Sequence, residues 1–209
     1  EGAVLTVLRD RLNHALRHVP TWALYICMAV PLPLFFWQGL AGALGPEPIR
    51  ALEHLYGQVA LAYLVASLAI TPLRRIWGIN LLRFRRAAGV MGFVYVVAHL
   101  LVWLVLDIAS VTAIWADIVK RPYITVGMAA FLLLLPLAAT STNAAQRRLG
   151  PRWGQLHKLT YPAIVLGGLH YVMQAKGWQL QPIVWLGAIL LLLALRMGRK
   201  SRNRRASLG

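Results

Sequence analysis

The sequence predicts an all-α protein that crosses a membrane as a polytopic bundle of six transmembrane helices. Of its 209 residues, 59% are hydrophobic and only 13% are charged, and the mean hydropathy is +0.62. These values exceed what a soluble domain with a polar exterior shows. The apolar residues are concentrated in six runs, each close to the roughly 20 residues with which a helix crosses a bilayer. Helices are expected because lipid cannot satisfy exposed backbone amides.

The six predicted spans follow one another with short loops between them. They lie at about 21–41, 55–71, 87–106, 123–140, 157–175 and 182–197. The first follows a basic stretch like that of a signal peptide, but its apolar run is long enough to span a bilayer, and we expect it to do so. No internal repeat or low-complexity linker interrupts the chain. We therefore expect one six-helix membrane domain, 21–197, between a basic amino-terminal segment, 1–20, and a basic tail, 198–209.

The basic residues are divided unequally between the two sides of the predicted bundle. The net charge is +16, from 22 Lys and Arg against six Asp and Glu. Eighteen of the basic residues lie in the amino-terminal segment, in the loops after the second and fourth spans, or at the carboxyl-terminal end. The other four are Arg50, Lys120, Arg121 and Lys176. Because cytoplasmic loops carry the excess of Lys and Arg, we expect both termini to be cytoplasmic. The charge fits anionic lipid headgroups, and nucleic acid is not expected as a partner.

Cysteine content and short motifs exclude several classes of site. The single cysteine, Cys27, lies in an apolar run. It excludes an internal disulfide, a cysteine-rich zinc site and the CxxCH motif of covalently attached haem. No nucleotide-binding or metalloprotease motif is present. A haem would therefore be held by coordination and packing alone, and its electrons would come from another molecule.

Histidines inside the apolar runs are the main candidate functional residues, because an ionisable side chain within a span marks a functional site by default. His99 in the third span and His170 in the fifth each lie thirteen residues from the start of their run on the predicted cytoplasmic side. At 1.5 Å per residue both lie about 20 Å deep. This shared level suits bis-histidine ligation of haem iron, and two histidines that hydrogen-bond neighbouring helices are the alternative. Gly92 and Gly167, on the same two helices, are expected to leave room for a flat macrocycle.

Two further histidines are candidates for cofactor binding. His54 lies at the outer start of the second span, and His157 lies at the cytoplasmic start of the fifth. In an ideal helix His157 would point about 140° away from His170, and the third span has no histidine level with it. Three roles therefore stay open for His157. It could ligate a haem together with another residue, bind a flavin or quinone, or cap the helix at the interface.

Several stretches carry a recognisable pattern. They are HLYGQVAL (54–61), ITPLRR (70–75), RFRRAAGV (83–90), AHL (98–100), RPYITVG (121–127), LAATSTNAAQRRLGPRWGQLHKLTYP (137–162) and GLHY (168–171). Together they resemble the MsrQ (YedZ) family, the haem-binding membrane subunit of the periplasmic methionine-sulfoxide reductase system. The family belongs with ferric-reductase-like membrane domains of six helices that carry b-type haem. The resemblance runs from about residue 45 to the sixth span.

The resemblance implies a function and a set of ligands. It implies an electron-transfer subunit of the bacterial inner membrane that takes electrons from quinol or a cytoplasmic flavin reductase. The electrons would pass to a periplasmic molybdopterin subunit, which reduces methionine sulfoxide in oxidised proteins. The family's histidines fall on His99, His157 and His170. FMN has also been associated with the family, although no residue here marks a site for it. Because the partner would be the catalytic subunit, the sequence leaves open whether this chain is itself an enzyme.

Three alternative functions stay open on the sequence. The first is a stand-alone ferric or quinone reductase-like cytochrome b. The second is a non-haem proton or solute transporter with His99 and His170 as a relay, which is weakened because no carboxylate lies deep in a span. The third is an assembly subunit without a cofactor. A visible absorption spectrum separates the haem proteins from the other two.

Overall fold

The computed structural model of the protein describes residues 2–108, 110–175 and 177–206, and these ranges are almost entirely helical. The α-helices are α1 (Gly2–His18), α2 (Thr21–Ala29), α3 (Pro31–Leu40), α4 (Pro48–Trp77), α5 (Arg85–Leu101), α6 (Val111–Lys120), α7 (Pro122–Ala139), α8 (Asn143–Leu149), α9 (Pro151–Leu156), α10 (Thr160–Gln174) and α11 (Leu180–Ala206). A π-helical turn, Val102–Ile108, continues α5. No strand occurs within the described ranges. The predicted all-α class is confirmed.

Four helical stretches are long and apolar enough to cross a membrane. They are Thr21–Leu40, Pro48–Trp77, Leu82–Ile108 and Pro122–Ala139, and they correspond to the first four predicted runs. α10 has only 15 residues, and the apolar part of α11, Leu180–Arg196, is likewise shorter than these four. Within the described ranges four helices therefore have spanning length, and the count of six spans stays a prediction.

The first of these stretches is interrupted at Pro31, which cannot donate a backbone hydrogen bond. Tyrosine hydroxyls from the neighbouring helices contact the carbonyls on either side of the break. Tyr56 of α4 donates to the carbonyl of Leu32 at 2.7 Å, and the fully buried Tyr95 of α5 donates to that of Met28 at 2.9 Å. The carbonyls around this proline are thus bound by polar groups of neighbouring helices, as a membrane bundle permits.

α4 is the central helix of the bundle and packs against α3, α5, α10 and α11. Its buried Leu64 and Leu68 pack in one cluster with Ile164 of α10 and Ile189 of α11. α5 approaches α4 closely at Gly92, where an added Cβ would lie 2.8 Å from Cγ of Leu64. A small residue at a helix contact allows this approach. The prediction that Gly92 leaves room for a macrocycle is therefore wrong, since Leu64 occupies that space.

The helix in the fifth predicted run begins later than predicted. His157–Leu159 form a 3₁₀ turn, and α10 begins only at Thr160. Pro162 falls in the first turn of α10, where a helix tolerates a residue without an N–H. The predicted angle of 140° between His157 and His170 assumed one continuous α-helix, so it does not apply to this chain.

Both terminal segments are helical where they are described. α1 covers most of the segment 1–20, and α11 continues through the predicted tail as far as Ala206. Residues 207–209 of the tail and Lys176, which was counted on the outer side, lie outside the described ranges. The loop 78–84, the stretch 140–159, α1 and the carboxyl-terminal end of α11 share one side in the predicted topology, and we refer to that side as the basic end of the bundle.

Candidate cofactor site between two histidines

His99 of α5 and His170 of α10, called the histidine pair below, lie side by side. Their ring centroids are 6.1 Å apart, and the ring planes make an angle of 79°. Both rings contact residues in the first two turns of neighbouring helices, at the end of the bundle opposite the basic end. The structure thus brings together the two imidazoles that the sequence places at one level.

Each ring of the histidine pair is oriented by one hydrogen bond to a backbone carbonyl. Nδ1 of His99 lies 2.9 Å from the carbonyl oxygen of Glu53 in α4, and Nδ1 of His170 lies 2.7 Å from that of Tyr123 in α7. Because a carbonyl can only accept, each Nδ1 carries the proton and donates it. In a neutral imidazole the lone pair is then on Nε2, the nitrogen left to bind a metal. A hydrogen bond from the other ring nitrogen is the usual way in which proteins orient a metal-binding histidine.

Two glycines make these hydrogen bonds sterically feasible. An added Cβ at Gly57 would lie 3.2 Å from Nδ1 of His99, and one at Gly127 would lie 2.8 Å from Nδ1 of His170. Each glycine is four residues, or about one helical turn, after the residue whose carbonyl accepts the hydrogen bond. The missing side chains therefore let both imidazoles reach a carbonyl one turn earlier on the neighbouring helix.

Gly57 and Gly127 were not predicted from the sequence. Gly92 and Gly167, which were, lie on the helices that carry the histidines, whereas Gly57 and Gly127 lie on the facing helices α4 and α7. At Gly167, the second glycine named from the sequence, an added Cβ would lie 3.8 Å from Cδ1 of Leu61, which is ordinary van der Waals contact, so room for a macrocycle there stays a prediction. Gly57 and Gly127 do lie in two of the stretches that resemble the family, HLYGQVAL and RPYITVG. That resemblance was the only feature of the sequence that pointed to them.

The spacing of the histidine pair would allow both imidazoles to bind one metal ion. Imidazole–metal bonds are about 2 Å long, and a ring centroid lies about 1 Å behind the bonding nitrogen, so two such rings have centroids about 6 Å apart. The described residues contain no group of three or more His, Cys, Asp or Glu side chains that could hold a metal. Two imidazoles alone suit an iron whose remaining ligands come from a macrocycle.

A local change in helix type follows directly after His99. The π-helical turn Val102–Ile108 begins three residues beyond it and buries Val102 and Trp103. Such turns are rare and frequently occur at functional sites. The sequence did not predict this turn, because hydrophobicity alone does not distinguish the two helix types.

His157 lies at the basic end, and the structure does not bring it to the histidine pair. Its ring stacks on Trp153 with centroids 3.9 Å apart, and its Nε2 lies 3.2 Å from Oγ1 of Thr140. The indole of Trp153 donates to the carbonyl of the same threonine at 2.9 Å. Burial, reinforced by the positive charges of Arg85 and Arg86, lowers the pKa of His157. These contacts fasten the α9–α10 connection to the end of α7, and haem ligation by His157 stays a prediction.

His54 is exposed at the end of the bundle opposite the basic end. Its Nε2 accepts a hydrogen bond of 2.7 Å from the side-chain amide of Gln174, at the end of α10. This contact ties the start of α4 to α10, next to Glu53, whose carbonyl orients His99. Cofactor binding by His54 also stays a prediction.

Comparison with known proteins identifies the family. The sequence model of the family described as "Ferric reductase like transmembrane component" matches residues 56–168, more than half of the chain. A protein of Brucella anthropi named "Protein-methionine-sulfoxide reductase heme-binding subunit MsrQ" is 42% identical over 186 residues, which are 88% of this chain and 84% of that protein. Proteins of the same name from Brucella ovis and Brucella canis are each 43% identical over 179 residues, covering 85% of this chain and 81% of theirs. The chain therefore belongs to the ferric reductase-like transmembrane components and, among them, to the MsrQ proteins.

Proposed function

We propose that the chain is a membrane electron-transfer subunit that holds a b-type haem between His99 and His170 and supplies electrons to a methionine-sulfoxide reductase. The observation that carries this function is the histidine pair, with ring centroids 6.1 Å apart and each Nδ1 bound to a carbonyl. The names of the relatives support both the haem and the reductase partner, because those proteins are called heme-binding subunits of a methionine-sulfoxide reductase.

The two proposed histidine ligands favour electron transfer over other haem chemistry. If His99 and His170 both held a haem iron, no coordination position would stay open, so the haem would supply one-electron transfer and not oxygen activation. The chain itself contributes orientation and environment. His99 and His170 would hold the iron, and the carbonyls of Glu53 and Tyr123 fix the direction and basicity of the two rings.

The proposed arrangement in the membrane has six spans, with α10 and α11 as the fifth and sixth and both termini in the cytoplasm. It keeps the division into segment 1–20, membrane domain 21–197 and tail 198–209. The unequal distribution of Lys and Arg supports it. The histidine pair then lies toward the periplasmic face of the bacterial inner membrane. The acceptor would be a periplasmic molybdopterin subunit, and the donor would be quinol or a cytoplasmic flavin reductase.

The topology is tested with fusions to alkaline phosphatase, which is active only in the periplasm. We expect no phosphatase activity from a fusion after Gly209 and full activity from a fusion after Gly45, in the loop between α3 and α4, because basic loops stay in the cytoplasm. Phosphatase activity after Gly209 would contradict the proposed orientation and would exchange the donor and acceptor faces.

The function is tested on the purified full-length chain. We expect a Soret band that sharpens and shifts on reduction, and reoxidation of the reduced protein by a methionine-sulfoxide reductase supplied with a sulfoxide substrate. Reoxidation by ferric chelates or quinones without any dependence on the reductase would favour the stand-alone ferric or quinone reductase. Absence of a Soret band would favour the transporter or the assembly subunit. Flavin fluorescence of an acid extract tests whether FMN is bound as well.

His157→Ala tests whether this residue binds a second haem. We expect the variant to keep the haem content and line shape of the parent, because Nε2 of His157 already has Thr140 as its partner. We also expect slower reduction by a reduced flavin, because the substitution removes the ring that stacks on Trp153 at the proposed entry face. The measurements are haem per protein and the reduction rate in stopped flow. Loss of about half of the haem would instead indicate a second haem site at His157, and normal content with normal kinetics would leave His157 a structural residue.

A further inference from the structure

Helix α1 exposes a continuous apolar surface although it is docked against the rest of the chain. At 100° per residue, Val4, Leu5, Leu8, Leu12 and Ala15 share an arc of about 100° on this helix. The four large side chains among them are between 43% and 67% exposed. Exposed leucines and valines in one stripe mark a surface that is covered by something else.

A second edge of α1 fastens the helix to the basic end of the bundle. The side chain of Asn13 donates to the carbonyl of Gly78 at 3.0 Å and accepts from the backbone N–H of Asn80 at 2.9 Å. The guanidinium of Arg83 donates to the carbonyls of Leu16 and Arg17, in the last turn of α1. Asn13 lies about 130° around the helix from the centre of the apolar arc. The contacts to loop 78–84 therefore leave the apolar arc uncovered.

The remaining side of α1 is mostly polar. It carries Asp10, Arg11, His14 and His18, and the exposed Val7 is its apolar exception. The centre of this polar side lies about 120° from that of the apolar arc. The helix thus has one edge on the protein, one apolar side and one polar side. A helix with this division fits a position in the plane of a membrane, between acyl chains and water.

The position and charge of α1 indicate which surface covers the apolar arc. Loop 78–84, to which α1 is fastened, joins two stretches of spanning length, Pro48–Trp77 and Leu82–Ile108, so it lies where a bilayer would have its headgroups. α1 contains three arginines and one aspartate, and no acidic residue occurs anywhere from 54 to 106. Basic side chains at this level are attracted by anionic headgroups.

We propose that α1 lies in the membrane interface, with Val4, Leu5, Leu8 and Leu12 among the acyl chains and its arginines at the phosphates of anionic lipids. The occupant of the apolar arc is thus the lipid leaflet at the basic end of the bundle. This inference does not depend on haem binding or on the identity of the electron acceptor.

The test compares two positions on α1 in the full-length protein. Cys27→Ser removes the single cysteine, and Leu8→Cys or His14→Cys then introduces one site for a nitroxide label, with Leu12→Cys as a second apolar position if Leu8→Cys is not monodisperse. The protein is reconstituted into vesicles of phosphatidylcholine with phosphatidylglycerol, or of phosphatidylcholine alone. Electron paramagnetic resonance then measures how strongly each label is relaxed by oxygen, which concentrates in lipid, and by a water-soluble nickel complex.

We expect the label at Leu8 to lie about 5–10 Å below the headgroups and the label at His14 to lie in water. The oxygen-to-nickel ratio should be severalfold higher at Leu8 than at His14, and it should fall at Leu8 when phosphatidylglycerol is omitted. Equal ratios at the two positions would overturn the proposal. Spin–spin broadening at Leu8 would also overturn it, because a second copy of the chain would then cover the arc. An unchanged ratio at Leu8 without anionic lipid would refute the electrostatic part.

Discussion

His99→Ala and His170→Ala should each abolish the low-spin b-type haem spectrum while the protein still inserts into the membrane. Each substitution removes one of two imidazoles whose centroids are 6.1 Å apart, and no group of three or more His, Cys, Asp or Glu side chains among the described residues offers a substitute metal site. Removing a residue that only hydrogen-bonds to a metal ligand typically lowers metal affinity about 10–100-fold. We expect removal of a ligand itself to lower the affinity further. The measurements are haem per protein by the pyridine haemochromogen assay and the line shape of the reduced spectrum.

The matched control for this experiment is His18→Ala. His18 is an exposed histidine of α1 whose Nδ1 lies 3.0 Å from the carbonyl oxygen of His14 and whose ring packs against that of His14 in the same helix. Its removal should leave haem content and spectrum unchanged. Full haem occupancy with an unaltered spectrum in both His99→Ala and His170→Ala would show that the histidine pair is not the ligand set. The pair would then be two histidines that hydrogen-bond neighbouring helices.

Gly127→Ala should produce the second largest loss of haem, although glycine has no group that could bind it. The added Cβ would lie 2.8 Å from Nδ1 of His170, a distance that Cβ atoms in proteins essentially never show. The imidazole must therefore move away from the carbonyl of Tyr123, which orients it at 2.7 Å. We expect haem affinity to fall by roughly 10–100-fold, the range for loss of a partner that orients a metal ligand.

Gly57→Ala and Gly187→Ala are the comparison variants for Gly127→Ala. At Gly57 the added Cβ would lie 3.2 Å from Nδ1 of His99, so a small shift of the ring relieves the contact and we expect a milder loss. At Gly187 of α11 the added Cβ would point into open space among the described residues, and we expect no change. Haem titration gives the affinities, and circular dichroism shows that helix content is retained. Parental affinity in Gly127→Ala would refute the steric argument, and equal losses in all three variants would attribute the effect to a general disturbance of the bundle.

Features that depend on counting along one helix were predictable from the sequence. The apolar runs predicted an all-α chain, and four of them have spanning length in the structure. The shared level of His99 and His170 followed from two equal residue counts, because the rise per residue of a helix is nearly constant. The juxtaposition of the two rings agrees with that prediction.

Features that depend on where a helix begins were predicted less well. The orientation of His157 was computed for a helix that runs without interruption from 157 to 175, but the chain forms a 3₁₀ turn as far as Leu159. Rotation by 100° at each α-helical residue does not carry through such a turn. The surroundings of His157 are determined instead by Thr140 and Trp153, which belong to other elements.

The sequence by itself determined the helical class, the membrane environment and the level of two histidines, because hydrophobicity and rise per residue are properties of a single segment. Only the tertiary structure decided which atoms surround those histidines. Gly57 and Gly127 lie on helices other than those of His99 and His170, and their importance arises from the packing of α4 against α5 and of α7 against α10. Gly92, on the same helix as His99, faces Leu64 instead. Which residues meet across a bundle depends on how each helix is rotated about its own axis, and contacts between helices set that rotation.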